Sequence, residues 1–123
     1  GLDRRVKFYN RSFVNFFANK FDFIVTNPPY IPSYELKNLQ LDIKNYEPLL
    51  ALDGGNDGLD VIRKVIYKSR QILKIKGLLA IEIGNGQYDK IFKILNRNKF
   101  RVINSVKDFK NNIRCILARL EKN

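Results

Sequence analysis

The chain has 123 residues, of which 45% are hydrophobic, and its formal net charge is +11 at pH 7. This length fits one domain of ordinary size, and the apolar content is enough to build a core. No apolar stretch approaches the roughly 20 residues that a membrane helix needs. The charged start of the chain lacks the apolar region of a signal peptide, so we expect a cytoplasmic protein with no membrane partner.

The residue types that are missing exclude several kinds of site. The chain has no histidine, which excludes a histidine base, and its scattered acids lack metal-ligand spacing, so no metal site is expected. The single Cys115 excludes an internal disulfide and fits a reducing cytosol, and its apolar neighbours predict a buried, inert thiol. The absence of methionine, together with a start inside a charged segment, indicates a fragment of a longer protein.

Short apolar segments dominate the first part of the chain. Residues 5–9 are typical of a short strand, and residues 13–18 of a turn or a single helical turn. The side chains of Phe13, Phe16 and Phe17 could form a base-stacking platform, although contacts with a core or with a lost domain explain their spacing better. Residues 22–26 form an apolar run that predicts a buried strand.

This strand stops at the rigid turn Asn27-Pro28-Pro29-Tyr30. Each proline fixes its own φ, and the residue before each proline is restricted to extended geometry. The turn would therefore hold the Asn27 amide and the Tyr30 ring beyond the carboxyl end of a strand, where open α/β sheets bind ligands. Because an amide both donates and accepts hydrogen bonds, this pattern predicts a site for a planar group that bears N–H. The alternative is a simple turn with a capping asparagine.

The remaining elements alternate between helices and strands. Residues 31–59 are long for a loop, and such segments are usually functional or disordered. Apolar residues at helical spacing predict helices over residues 59–74 and 87–96, the first of them ending at Lys76-Gly77. Strands are predicted over residues 78–83, 101–106 and 113–120, the last two as an antiparallel hairpin. This order predicts an α/β sheet, mostly parallel, with crossover helices. Glu82 ends an apolar strand, so its charge needs a partner, and we expect a structural role for it.

The turn and the strand before it resemble a known motif. Asn27-Pro28-Pro29-Tyr30 after a buried strand is similar to motif IV of S-adenosylmethionine-dependent amino-methyltransferases. That class includes adenine-N6 DNA methyltransferases, guanine-N2 rRNA methyltransferases, and the glutamine-N5 methyltransferases of peptide release factors, which form the HemK/PrmC family. Motif IV alone does not choose among them.

Five further segments resemble the HemK/PrmC family in particular, and together they span nearly the whole chain. They are Tyr30-Ile31-Pro32; Tyr46-Glu47-Pro48-Leu49 with Ala51-Leu52; Gly54-Gly55 to Gly58-Leu59; Ile81-Glu82-Ile83-Gly84 with Gln87; and Asp108-Phe109 through Asn112-Ile113-Arg114. The combined pattern favours a protein methyltransferase over an enzyme that acts on nucleic acid.

The resemblance implies the class I, Rossmann-like methyltransferase fold, an α/β fold with strand order 3-2-1-4-5-7-6. Residues 1–123 would form the C-terminal portion of one methyltransferase domain, with strands 3, 4, 5, 6 and 7. The chain would lack strands 1 and 2, the glycine-rich turn that is the main S-adenosylmethionine-binding motif, and the family's N-terminal helical domain. Strand 4 would then expose an apolar edge, through which we expect self-association.

The resemblance also implies a reaction, the transfer of a methyl group from S-adenosylmethionine to a glutamine side chain of a peptide chain release factor, a protein of translation termination. Asn27 Oδ1 and the Pro28 carbonyl would accept the two amide hydrogens, and Tyr30 would pack against the amide plane. Pro29 and Glu47 would complete the substrate pocket. No strong base is required, which agrees with the lack of histidine.

Family members usually carry aspartate near the cofactor adenine, where this chain has Ser12, so Ser12 and Asn27 are the expected cofactor contacts.

Two alternatives to this function stay open. We expect the isolated chain to be inactive, and a non-catalytic, degenerate fragment is one alternative. The net charge favours the other alternative, a nucleic-acid amino-methyltransferase. Half of the 12 acidic residues fall between positions 35 and 60, so the positive charge does not concentrate on the predicted site.

Overall fold

The computed structural model describes residues 4–17, 20–39 and 47–122, which form a four-stranded sheet with two amphipathic helices on one face. The strands are β1 (Phe21–Thr26), β2 (Leu73–Glu82), β3 (Phe100–Lys107) and β4 (Ile113–Leu120). The helices are the short α1 (Leu49–Leu52), α2 (Asp60–Ile72) and α3 (Tyr88–Arg97). Single 3₁₀ turns lie at Phe13–Asn15 and Leu36–Asn38. None of the helices in these ranges is long and apolar enough to cross a membrane.

The strand order is β1-β2-β4-β3. β1 and β2 pair in parallel through the crossover helix α2, whereas β4 is antiparallel to both of its neighbours. The sheet is therefore mixed, and the prediction of a mostly parallel sheet was wrong, because the terminal hairpin inserts β4 between β2 and β3. The hairpin itself is confirmed, and the observed order matches strands 4-5-7-6 of the expected fold.

The core lies between the sheet and the two longer helices. Alternate residues of β2 and β4, among them Leu79, Ile81, Ile116 and Ala118, are fully buried and therefore share one face of the sheet. They join the apolar stripes of α2 and α3 in a single cluster, whose helical members are Ile62, Val65, Ile66, Ile72, Ile91 and Leu95. The helical spacing read from the sequence thus corresponds to the face that each helix buries.

The boundary between α2 and β2 differs from the prediction. The helix ends at Ile72 because Leu73 is already extended, with φ −82° and ψ 147°, and pairs with Phe21 of β1. β2 therefore begins five residues earlier than predicted (residue 73 against 78). The residues between Leu73 and Leu78 bulge out of register, and Lys76 has φ +67° within this bulge. Lys76-Gly77 thus interrupts a strand instead of ending a helix.

The strand predicted over residues 5–9 does not form, because a strand needs a hydrogen-bonded neighbour and this one has none in the described ranges. Residues 6–10 have no regular structure and are exposed. The expected partner would be strand 2 of the fold, which the sequence resemblance did not find in this chain. The fold therefore contains the equivalents of strands 4 to 7 without strand 3. Residues 13–15 do form the predicted turn, and Ala18 lies outside the described residues.

The second face of the sheet carries apolar side chains that no helix in the described ranges covers. Val25, Ala80 and Leu117 lie side by side on this face, since Val25 pairs with Ala80 and Ala80 with Leu117. Val25 is 71% exposed and Phe23 is 51% exposed. β1 is also an outer strand, so within the part of the chain that the structure describes no strand pairs with its edge and no helix covers this face, as expected for strand 4.

The start of α2 is fixed by carboxylates around one arginine. Asp57 Oδ1 accepts a hydrogen bond from the Leu59 N–H at 3.1 Å, and Asp57 Oδ2 lies 2.6 Å from Arg63 Nη2. Asp60 Oδ1 contacts Arg63 Nη1 at 2.9 Å, one turn away on the same helix. The hydrogen bond from Arg63 lowers the pKa of Asp57 to about 2.

The Asp57–Arg63 pair predicts a dependence of stability on pH. Because the pKa of Asp57 is 3.8 without the pair and about 2 in the folded chain, its contribution is present above pH 4 and lost as the pH falls through about 2. Both side chains are about 40% exposed, so the contribution is below about 1 kcal/mol. Urea unfolding of the wild-type chain and of Asp57→Asn should give a difference that is constant above pH 5 and shrinks toward pH 2. A difference that does not change with pH would contradict the assignment.

Candidate functional site

The turn Asn27-Pro28-Pro29-Tyr30 lies at the carboxyl end of β1, directly after the last residue pair between β1 and β2, Thr26 with Ile81. Pro28 is buried, Pro29 and Tyr30 are partly buried, and Asn27 is exposed. The strand end therefore presents the Asn27 side chain to solvent while the prolines anchor the turn.

All four motif residues line one cavity of about 440 Å³. Glu47, Ala51, Leu52 and Ile31 complete its wall. The structure thus brings together the predicted substrate residues Asn27, Pro28, Pro29, Tyr30 and Glu47, although twenty sequence positions separate Asn27 from Glu47 (47 − 27). Tyr46 lies outside the described residues.

The polar atoms of the turn are available to a ligand. Among the residues that the structure describes, none donates a hydrogen bond to Asn27 Oδ1 or to the Pro28 carbonyl oxygen. Because Asn27 and Pro28 both line the cavity, a ligand inside it could donate hydrogen bonds to these acceptors. These two atoms are the acceptors that the resemblance assigned to an amide –NH₂ group.

Ser12 is placed elsewhere, before the 3₁₀ turn at Phe13–Asn15, and its side chain is exposed. Its neighbours Arg11 and Phe13 line a second hollow of about 390 Å³ along β1, together with Phe23 and Val25. Ser12 is not among the residues that line the motif cavity. Its role in cofactor binding stays a prediction.

The segment after the motif pairs with residues 52–55, a contact that sequence reasoning missed. The Ile31 N–H donates to the Leu52 carbonyl at 3.1 Å, and the Gly54 N–H donates to the Ile31 carbonyl at 2.8 Å. The short bridge continues as the Ser33 N–H donates to the Gly55 carbonyl at 2.9 Å. It carries α1, and with it Ala51 and Leu52, to the wall of the cavity.

Asp53 stabilises this bridge through its carboxylate. Its Oδ1 accepts hydrogen bonds from the Ser33 hydroxyl at 2.7 Å and from the Gly55 N–H at 2.9 Å. The hydroxyl of Ser33, followed by the N–H of Gly55, lowers the pKa of Asp53. The aspartate before the glycine pair was the available sequence signal, since an aspartate commonly bonds the backbone two residues on.

Tyr30 also contacts β2, through Glu82 at the end of that strand. The Tyr30 hydroxyl donates to Glu82 Oε1 at 3.4 Å, which gives Glu82 a polar partner. Burial raises the pKa of Tyr30, the negative charge of Glu82 raises it further, and the nearby Arg114 opposes the shift. At neutral pH the phenol is therefore protonated and can donate to Glu82.

The segment Asp108 to Arg114 closes the turn between β3 and β4. Asp108 Oδ2 lies 2.8 Å from Arg114 Nε, and Asp108 Oδ1 accepts hydrogen bonds from the N–H groups of Lys110 and Asn112. The hydrogen bond from Arg114 lowers the pKa of Asp108.

Next to Arg114, Cys115 is partly buried, and burial raises the pKa of its thiol, as expected for an inert cysteine. In the described ranges, no group of three or more His, Cys, Asp or Glu side chains could hold a metal ion.

The fold is shared with known methyltransferases. The N-methyltransferase NodS from Bradyrhizobium japonicum aligns over 97% of this chain and 64% of its own, with a TM-score of 0.54 and 13% identity. A protein-(glutamine-N5) methyltransferase, described as release-factor-specific, from Alicyclobacillus acidocaldarius aligns over 84% of this chain and 50% of its own, with a TM-score of 0.50 and 24% identity. With the strand order β1-β2-β4-β3, these alignments define part of the class I S-adenosylmethionine-dependent methyltransferase fold.

Sequence comparison is more specific, although no protein-family model matches the chain. The release factor glutamine methyltransferase of Clostridium acetobutylicum is 44% identical over 101 residues, which cover 82% of this chain and 35% of the relative. The enzyme of the same name from Rhodospirillum rubrum is 38% identical over 119 residues, 97% of this chain and 37% of the relative. The chain belongs to the release factor glutamine methyltransferase family and spans about a third of the length of these curated relatives.

The contact between Tyr30 and Glu82 predicts how the tyrosine titrates. Glu82→Gln removes the negative charge that disfavours the phenolate, so the pKa of Tyr30 should fall while burial keeps it above the ordinary value. ¹³C NMR of labelled tyrosine between pH 8 and 12, assigned with Tyr30→Phe, measures this change. Asp89→Asn removes one negative charge from the first turn of α3 and serves as the matched control. An unchanged Tyr30 pKa in Glu82→Gln would exclude the contact.

Proposed function

We propose that this chain carries the substrate-gripping part of a protein-(glutamine-N5) methyltransferase that acts on a glutamine side chain of peptide chain release factors in the cytoplasm. The observation that carries the proposal is the cavity in which Asn27 and Pro28 leave two acceptors open. The family relation supports the choice of substrate, since the relatives are named release factor glutamine methyltransferases.

The residues of the turn would act by positioning the substrate amide. The amide nitrogen is a weak nucleophile because its lone pair is delocalised. Asn27 Oδ1 and the Pro28 carbonyl would accept its two hydrogens, which fixes the nitrogen and favours an electron-rich, more tetrahedral geometry. Such preorganised acceptors lower a barrier without reorganising during the reaction. Tyr30 and Pro29 would line the plane of the amide, and Glu47 would bound the pocket on the side of α1.

S-adenosylmethionine supplies an electrophilic methyl group when it is bound. The hollow against β1 offers flat apolar walls from Phe13 and Phe23, which suit a planar base. Ser12, beside Phe13, and Asn27, at the end of β1, are the residues of this chain that would hold the donor. The isolated chain is expected to bind the donor weakly, since the glycine-rich turn of the fold has no counterpart in its sequence.

A specific observation favours the second candidate function, methylation of an amino group in nucleic acid. A hollow of about 460 Å³ is lined by the basic residues Arg4, Arg5, Lys7 and Lys20 and by the aromatic residues Tyr9, Phe16 and Phe21. Basic side chains interleaved with aromatic rings are typical of surfaces that bind single-stranded nucleic acid. This candidate requires binding that weakens steeply with salt.

Substitution of Asn27 tests the proposed role of the turn. In the whole protein that contains this chain, Asn27→Ala should lower kcat/KM for methyl transfer to a release factor by about 100-fold, the usual effect of losing one preorganised hydrogen-bonding group. Asn38→Ala, an exposed asparagine in the 3₁₀ turn at Leu36–Asn38, is the matched control and should retain full activity. The isolated chain should show little transfer. Methylation of RNA or DNA in preference to release factor would overturn the proposal in favour of the second candidate.

Copies of the isolated chain should also associate through β1, because its outer edge offers backbone groups for pairing and its second face exposes the apolar side chains of Phe23 and Val25. Val25→Lys places a charge on that strand and should shift the chain toward monomer in sedimentation equilibrium. Val106→Lys is the matched control on β3, the other outer strand, where Val106 is 55% exposed. A wild-type chain that stays monomeric at high concentration would contradict this prediction.

A further inference from the structure

Gln87, at the start of α3, joins three separate segments of the chain through its side-chain amide. Gln87 Oε1 accepts a hydrogen bond from the Gly84 N–H at 2.9 Å. Gln87 Nε2 donates to the Tyr30 carbonyl at 2.9 Å and to the Gly58 carbonyl at 3.4 Å. The amide therefore connects the end of β2, the Asn-Pro-Pro-Tyr turn and the start of α2.

Among uncharged side chains, only the amides of glutamine and asparagine can accept one of these hydrogen bonds and donate the other two. The asparagine side chain is one methylene shorter than that of glutamine. The Gly84 N–H requires an acceptor, whereas the carbonyls of Tyr30 and Gly58 require donors, and a primary amide supplies both from one planar group. All three hydrogen bonds are partly buried, so a replacement that leaves either carbonyl unpaired carries a desolvation cost.

The glycines around Gln87 allow the segments to approach closely. A Cβ atom at Gly58 would lie 2.5 Å from the Tyr30 carbonyl oxygen, and one at Gly84 would lie 2.8 Å from Gln87 Oε1. A Cβ atom at Gly54 would lie 2.8 Å from the Tyr30 Cα. Real side chains do not approach this closely, so Gly54 and Gly58 lie directly against the backbone of Tyr30, and Gly84 lies against Gln87 and the Tyr30 ring. Gly58 also has φ +74°, which favours glycine for a second reason.

We propose that Gln87 is a positioning residue for the reaction, which sets the placement of Asn27 and Pro28 by fixing the backbone of Tyr30. The two prolines between Asn27 and Tyr30 have fixed φ, so the turn transmits a shift of Tyr30 instead of absorbing it. A shift of about 1 Å in a positioning group can cost about 100-fold in rate. This inference rests on the proposed function, which supplies the reaction at the site. The role of Gln87 itself rests on its three hydrogen bonds.

Gln87→Glu separates positioning from bulk, because it keeps the size of the side chain and the acceptor for Gly84. A carboxylate cannot donate to the Tyr30 and Gly58 carbonyls, whereas a protonated carboxyl can donate to one of them. The charged groups that line the hollow beside Gln87 are Glu35, Asp57 and Lys90, together with the phenols of Tyr30 and Tyr34. Partial burial and the two facing carbonyl oxygens disfavour a carboxylate at this position, so the pKa of the introduced glutamate should be raised above its ordinary value. Lowering the pH should therefore restore one hydrogen bond in this variant only.

The test compares wild type, Gln87→Glu and Gln87→Leu in the whole protein between pH 6 and pH 8. At pH 8 we expect Gln87→Glu to lose about 10-fold to 100-fold in kcat for methyl transfer with little change in the KM for the methyl donor. Relative to wild type, its activity should recover at pH 6, and that of Gln87→Leu should not. Gln71→Glu, an exposed glutamine on α2, is the matched control and should behave as wild type.

A second measurement distinguishes failure of the inference from failure of the proposed function. The ¹³C shift of the Tyr30 carbonyl, recorded by NMR, should move in Gln87→Glu at pH 8 and return toward the wild-type value at pH 6. If these shifts occur while the wild-type protein transfers no methyl group to a release factor, the proposed function fails and the structural link stands. If Gln87→Glu matches wild type in kcat and in carbonyl shift at pH 8, the positioning role is overturned.

Discussion

The parallel pairing of β1 with β2 is the constraint on which the site depends. The last pair, Thr26 with Ile81, brings the carboxyl ends of both strands to one edge of the sheet. The motif turn continues from β1 at this edge, while Glu82, Gly84 and Gln87 continue from β2. Every contact that holds Tyr30 from the β2 side follows from this register, because a shift of one residue would reverse the faces of the strand.

A second connection shapes the wall of the cavity. The bridge from Ile31 to Asp53 holds the segment after α1 against the segment after the motif, and Glu47, Ala51 and Leu52 line the same cavity as the prolines. The motif is thus held on one side by β2 and on the other by the segment that follows it. Asn27, between these two anchors, keeps an amide that is exposed and available.

The sequence predicted the parts of the fold that are set by local pattern. The strand before the motif, the two longer helices and the terminal hairpin were recognisable from periodicity or resemblance, and so was the grouping of the five predicted substrate residues. The cavity itself agrees with the predicted grouping of Asn27 with Glu47. Residues 5–9 were misread because their pattern is that of a strand, whereas a strand is stable only beside a partner. The early start of β2 at Leu73 also depends on pairing, since Phe21 of β1 holds it. The bonds of Gln87 and Asp53 join distant segments, and no local signal specifies both ends.

The order of the sheet has a consequence for how the molecule assembles. β3 and β4 are joined by a short turn, whereas Asp22 of β1 and Lys74 of β2, which form an ion pair, are 52 positions apart. Closing the longer loop costs more entropy, and contacts between distant positions form more slowly. The hairpin and α3 can therefore assemble while β1 is still undocked, since β1 has only one neighbouring strand in the described ranges. Local opening would begin at the same place, so we expect the motif to lie in the part of the sheet that forms last and opens first.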